Sequence, residues 1–310
     1  MSAFTDFNFP SANGKINIHV RSCVPHGEIK ATMQIAHGIA EHSRRYDEFA
    51  SFLAENGIAV YTNDHMGHGE SISDNWTLAY FGEDNGWENA VEDMKNLHKI
   101  IVSEHPNVPA IIFGHSMGSF LARTYIIKYP NDFNGVILSG TGQQSKALVN
   151  AGKLMSKLQI LKHGANHRSE MLNDLAFGTY NNSFKPARTS HDWLSRDTAQ
   201  VDKYIADSLC GFIPSTGLFY QMMRGIDYIS APSNLKKMNK EVPVYFMSGD
   251  ADPVGESGKG VYRAYRSFLK AGIKDLSIRL YTNGRHEMLN ETCKTEVYND
   301  ILTCIEDWIK

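Results

Sequence analysis

Short apolar runs and helical-period stretches alternate along much of this chain, and the alternation predicts its layout. Residues 32–36, 58–61, 109–113, 136–139, 242–247 and 276–281 are runs of strand length, rich in β-branched and aromatic residues. Between them, apolar residues recur at helical spacing. Tyr46, Phe49, Phe52 and Leu53 form one such face, closed by Gly57. Trp87, Ala90, Val91, Met94, Leu97 and Ile101 form a second. Phe120, Leu121, Thr124, Tyr125 and Ile127 form a third, ended by Tyr129-Pro130. A helix is expected over 260–270, and a last one carries Val297, Ile301, Cys304, Ile305 and Trp308 on one face. Near the start, Asn13-Gly14 predicts a hairpin, with 15–20 as a half-exposed strand. Strands alternating with helices predict an α/β fold: a mostly parallel central sheet covered on both faces.

The rhythm breaks between residues 141 and 240. That stretch is rich in Ser, Asn, Lys and Met, shows helix-like pieces at 154–161 and 217–229, and contains no clear strand. It reads as a helical cap inserted into a core made of residues 1–140 and 241–310. A chain of 310 residues with 42% hydrophobic content can bury such a core. The net charge of −3 and the lack of a basic patch exclude nucleic acid as a partner. Cys23, Cys210, Cys293 and Cys304 form no C-x-x-C pair and read as reduced thiols. No secretory signal is read in residues 1–10, so a cytoplasmic protein is expected. No apolar run reaches the ~18 residues of a membrane span, so stable membrane insertion is not expected.

The strand at 109–113 and the helix after it flank Gly114-His115-Ser116-Met117-Gly118. Strand, G-x-S-x-G, helix is the context of a nucleophile elbow, in which a sharp turn exposes a serine above the sheet edge. A serine hydroxyl needs a base to take its proton and an anion to orient that base. His286, just after the strand at 276–281, is the base expected. Asp250 and Asp252 both follow the strand at 242–247; Asp252 is preferred because it lies further into the loop. Attack on a carbonyl creates an oxyanion that needs two N–H donors. The backbone amides of Met117, after the serine, and Ile39, in the loop after an early strand, are expected to supply them. His65 and His68 lack a matched third ligand, and no metal or cofactor is expected.

Five stretches carry a resemblance to a known family. They are His37-Gly38-Ile39-Ala40-Glu41-His42-Ser43-Arg44-Arg45-Tyr46, Asp64-His65-Met66-Gly67-His68-Gly69-Glu70-Ser71, the elbow, Gly249-Asp250-Ala251-Asp252 and Gly284-Arg285-His286. The chain resembles the monoacylglycerol lipase / lysophospholipase branch of the α/β-hydrolases, also grouped with the serine aminopeptidase-like hydrolases. The resemblance implies an α/β-hydrolase fold, Ser116 as nucleophile with Asp252 and His286 as partners, and a lid over an acyl pocket. Glu41 and Arg45 match polar positions near the alcohol-binding end of that pocket. Ser119 replaces a common glycine, and Leu289 stands where vertebrate-type members carry a second histidine. The expected activity is hydrolysis of small-molecule acyl esters. Leu154, Met155, Leu158, Ile160, Leu161, Met222 and Met223 are the expected pocket lining, and the cap is the expected face for any transient lipid-surface contact. An aminopeptidase or amidase on the same triad is the alternative enzyme. A non-catalytic binding protein of this fold is the third reading, against which the complete triad counts.

Overall fold

Alternate side chains of a strand point to opposite faces, and that alternation decides where each helix lies. In the computed structural model, which describes residues 3–74, 76–82 and 84–310, eight strands make one sheet. They are β1 (Ala3–Pro10), β2 (Asn17–Val24), β3 (Ala31–Ala36), β4 (Ile58–Asn63), β5 (Ala110–His115), β6 (Gly135–Ser139), β7 (Val244–Gly249) and β8 (Leu276–Tyr281). The order across the sheet is β1-β2-β4-β3-β5-β6-β7-β8. β1–β2 and β2–β4 pair antiparallel; every other neighbouring pair is parallel.

The helices are α1 (Asp47–Glu55), α2 (Gly86–Glu104), α3 (Met117–Lys128), α4 (Lys146–His163), α5 (Glu170–Phe177), α6 (Thr198–Ala206), α7 (Thr216–Ser230), α8 (Pro232–Leu235), α9 (Lys259–Ala271) and α10 (Lys294–Trp308). Ile111 and Phe113 of β5 join Phe49 and Leu53 of α1 and Ile301 and Ile305 of α10 in one buried cluster. Ile112, one residue out of phase, joins Leu97 of α2, Leu121 and Tyr125 of α3, and Phe268 of α9 on the opposite face. The central strands are therefore buried on both sides, as parallel sheets require.

Two sequence expectations shift. The hairpin turn is longer than two residues: Ser11 N–H bonds to the Ile16 carbonyl and Gly14 N–H to that of Ser11. Lys15 and Ile16 thus belong to the turn, and the paired strand runs on to Val24. Among the described residues, the 141–240 stretch has helices and no strand longer than an isolated bridge between Arg168 and Ser215. It is not all set apart from the core, because α7 packs directly on α2 and α3.

Candidate active site

Five strand-end segments meet at one rim of the sheet. β5 ends at His115 and α3 begins at Met117, so Ser116 alone makes the turn. Its φ of 50° and ψ of −120° lie in a region L-residues rarely adopt. Such strain, about 1–3 kcal/mol, persists only where the surroundings enforce it. Here Ser116 N–H bonds to the Ser139 carbonyl at 3.0 Å, and the Ser116 carbonyl accepts from the Ser119 N–H at 2.9 Å and the Ser119 hydroxyl at 2.6 Å. Gly118 is pressed against the Ala36 and His37 carbonyl oxygens, leaving no room for a Cβ.

Asp252, in the loop after β7, is fully buried and is the aspartate brought to His286. Its carboxylate oxygens lie 3.0 and 3.1 Å from His286 Nδ1 and also accept from Val254 N–H at 2.9 Å and the Ser248 hydroxyl at 3.1 Å. Asp250 instead accepts from the Asn283 N–H at 2.7 Å, a turn contact. Burial works against charge on both partners. For Asp252 the imidazole and its other donors outweigh burial and lower the pKa. For His286 the Asp252 charge and hydrogen bond outweigh it and raise the pKa. The His286 ring packs between His115 and Trp193, with centroids 4.7 and 5.1 Å away. Burial, and then the neighbouring His286, depress the pKa of His115 to about 3, so it stays neutral beside the pair.

Ser116 and His286 line one cavity of about 740 Å³. Among the described residues the 116 hydroxyl makes no hydrogen bond, so it faces the cavity unengaged. Ile39 and Met117 line the same wall, and their main-chain N–H groups likewise have no partner among the described residues.

Glu41 forms part of this wall, whereas Arg45 lies behind it. Glu41 is 4% exposed, and Arg45 bridges it to Glu287, which is 5% exposed. Burial, with Glu287 nearby, raises the pKa of Glu41 despite Arg45; Arg45 lowers that of Glu287 against the effect of burial. The second matched stretch is a brace. Buried Asp64 accepts from Ser43 N–H at 2.7 Å and Glu70 N–H at 2.8 Å and pairs with His19 at 3.1 Å, joining the 37–46 and 64–71 loops. His65 and His68 are buried with pKa values lowered to about 3, mainly by desolvation.

The rest of the cavity is largely apolar. Met155, Met222 and Met223 line it as expected, together with Leu172, Phe219 and Ile226. Leu154, Leu158, Ile160 and Leu161 do not: the three leucines are 60%, 53% and 75% exposed on the outer side of α4. A helical period shows that a stripe exists but not which medium it faces. One group of metal-type donors, His42, Asp207 and Cys210, lies within 4.8 Å of one another. His42 Nε2 and Asp207 already bond at 2.8 Å, which satisfies that pair without an ion.

Sequence reasoning missed Trp193, Leu194, Tyr204 and Glu287. The carbonyls of Trp193 and Leu194 accept the N–H groups of His286 and Glu287 at 3.4 and 2.8 Å. The Tyr204 hydroxyl bonds to the Ala40 carbonyl at 3.0 Å, beside the Ile39 amide. Nothing local marks Trp193 or Tyr204, since both come from a stretch without periodic order. The adjacency of Glu287 to His286 was the one available signal.

A family model described as serine aminopeptidase, S33, matches residues 27–293. A monoglyceride lipase of Rattus norvegicus is 27% identical over 287 residues, covering 92% of this chain and 84% of that protein. A monoacylglycerol lipase of Mycolicibacterium smegmatis is 27% identical over 297 residues, 94% of each chain. A highly thermostable carboxyl esterase from Bacillus coagulans, solved in complex with glycerol, superposes with a TM-score of 0.92 at 29% identity and 100% coverage of both chains.

Proposed function

From the premise that this chain belongs to the serine aminopeptidase S33 family and is a lipase-like hydrolase of the α/β-hydrolase fold, we propose that it cleaves monoacylglycerol- or lysophospholipid-like esters through an acyl-enzyme on Ser116. The observation that carries this reading is one apolar cavity whose wall holds an unengaged serine hydroxyl, two unpaired amides and His286, with buried Asp252 bonded to His286 from behind. His286, held by Asp252, takes the Ser116 proton as the hydroxyl attacks the ester carbonyl. The Ile39 and Met117 amides bind the oxyanion; loss of one such donor typically costs about 2.7–4 kcal/mol of transition-state stabilisation. His286 returns the proton to the leaving alcohol, then activates the water that frees the acid.

The 141–240 stretch acts as a cap in this scheme. Support comes from the cavity lining, which mixes strand-end residues with Met155, Leu172 and Phe219 of that stretch. Leu154, Leu158 and Leu161 of α4 and Met171 and Leu175 of α5 are exposed, and Leu148 and Leu175 also line the cavity. An apolar surface continuous with the mouth suits transient contact with a lipid surface. No helix of the described residues is long and apolar enough to cross a membrane. The four cysteines are free thiols, which favours a cytoplasmic protein.

An aminopeptidase needs a free acid to hold the substrate amine. The wall carboxylates beside the serine, Glu41 and Glu287, are engaged by Gly38, Tyr46, Arg45 and Asn290, which favours the ester reading; Asp174 of α5, which also lines the cavity, is the acid left to an aminopeptidase. The test is turnover of p-nitrophenyl esters of graded chain length, monoacylglycerols, lysophospholipids and aminoacyl anilides. Long-chain esters should lead, and Ser116→Ala should abolish turnover with an unchanged melting curve. Retained activity in that variant would remove Ser116 from the mechanism.

A further inference from the structure

Every polar atom of the Glu41 side chain is committed to the protein itself. Oε1 accepts from the Gly38 N–H at 2.5 Å and the Tyr46 hydroxyl at 2.9 Å, and Oε2 accepts from Arg45 at 3.1 Å. Gly38 directly precedes Ile39. It also lies against the nucleophile: a Cβ at residue 38 would stand 2.6 Å from Glu41 Oε1 and 3.2 Å from the Ser116 Cβ. The Arg45 guanidinium forks onto Glu287, Nη1 to Oε1 at 2.6 Å and Nη2 to Oε2 at 2.7 Å. Glu287 directly follows His286. A chain of charge-assisted bonds therefore runs from the residue before one amide donor to the residue after the imidazole.

Stability alone is a weak reason for such a cluster, because well-packed apolar residues often replace a buried ionic group without loss. We infer that Glu41 is a positioning residue. It anchors the Gly38 N–H of the 37–38 peptide, while His37 Nδ1 holds the Gly38 carbonyl at 2.7 Å, so that the next N–H, that of Ile39, points at the reacting carbonyl; through Arg45 and Glu287 it fixes that donor relative to His286. This rests on the reading of Ser116 as nucleophile. It differs from direct contact with the substrate alcohol, for which the Glu41 oxygens are already engaged.

The two roles separate experimentally. Glu41→Ala and Glu41→Gln are compared on a p-nitrophenyl ester and a glyceryl ester of the same acid. Binding is measured for an alkyl boronic acid, which forms a tetrahedral adduct, and for a non-hydrolysable alkyl ether. A displaced donor predicts that Glu41→Ala lowers kcat roughly 10²-fold on both esters with KM little changed. It predicts weaker boronate binding with the ether unaffected. Gln, whose side-chain oxygen can still accept from Gly38, should recover most of the loss. A loss confined to the glyceryl ester, equal weakening of ether and boronate, or unchanged kcat would overturn the assignment. If Glu41→Ala does not fold, Glu41→Asp replaces it: one methylene short of Gly38, it should lose kcat where Gln does not, and the reverse ranking overturns the inference. A fully active Glu41→Ala beside an inactive Ser116→Ala removes only this inference; an active Ser116→Ala removes the underlying reading.

Discussion

At the scale of single residues, the choice between two aspartates two positions apart decides the chemistry. Asp250 turns toward Asn283, and Asp252 reaches His286. Asp252→Asn should therefore lower kcat/KM by roughly 10²–10⁴, the larger figure being that for the corresponding change in a serine protease, while Asp250→Asn should act mildly. Hydrolysis of a p-nitrophenyl ester measures both, and the reverse ranking would refute the pairing. The pH profile follows from the same contact. On the proposed mechanism His286 works as a base only when neutral, and against the opposing effect of burial Asp252 raises its pKa. The acid limb of kcat/KM should thus fall at a pH above the ordinary histidine range, and it should move lower in Asp252→Asn. Both aspartates and His286 were legible as strand-end residues. Trp193, whose ring packs at a tilt against the imidazole, was not, because only the folded path of residues 178–215 carries it there.

Among the elements, strands and helices of the core were legible because burial imposes a period on them. The hairpin turn was legible in place but not in length, since its geometry depends on a partner distant in sequence. Buried Asp93 of α2 accepts from the Ala12 N–H at 2.6 Å and the Ser11 hydroxyl at 2.9 Å. Burial raises its pKa to about 7, well above its unfolded value. Between those two values the unfolded chain has released a proton that the native state retains, so this residue's contribution to stability falls as pH rises. Asn at 93 keeps an acceptor for Ala12 and does not titrate. Asp93→Asn should therefore gain stability relative to the parent between pH 4.5 and pH 8, as read by urea unfolding. A difference that is flat across that range would show that Asp93 does not titrate there.

For the whole molecule, strand–helix alternation revealed a parallel sheet but not its order, in which β2 pairs with β4 rather than β3. The cavity was less legible still, because its lining mixes strand ends with a stretch that lacks periodic patterning. The outward leucines of α4 make a prediction at this scale. Replacing Leu154, Leu158 and Leu161 with Glu should reduce co-sedimentation with phosphatidylcholine vesicles and slow hydrolysis of vesicle-borne ester. Turnover of a soluble short-chain ester should be retained. Undiminished vesicle binding would mean that the lipid is met elsewhere.

The segment from Trp193 to Gly211 grips both sides of the chemistry. Its carbonyls hold the backbone of His286 and Glu287, while Tyr204 and Gly211 both bond to the Ala40 carbonyl. If all of residues 141–240 swung aside as one hinged door, the imidazole and the amide cradle would be dragged apart on every opening. On the proposed mechanism, any path by which substrate enters and product leaves must therefore keep the 193–211 sill in place.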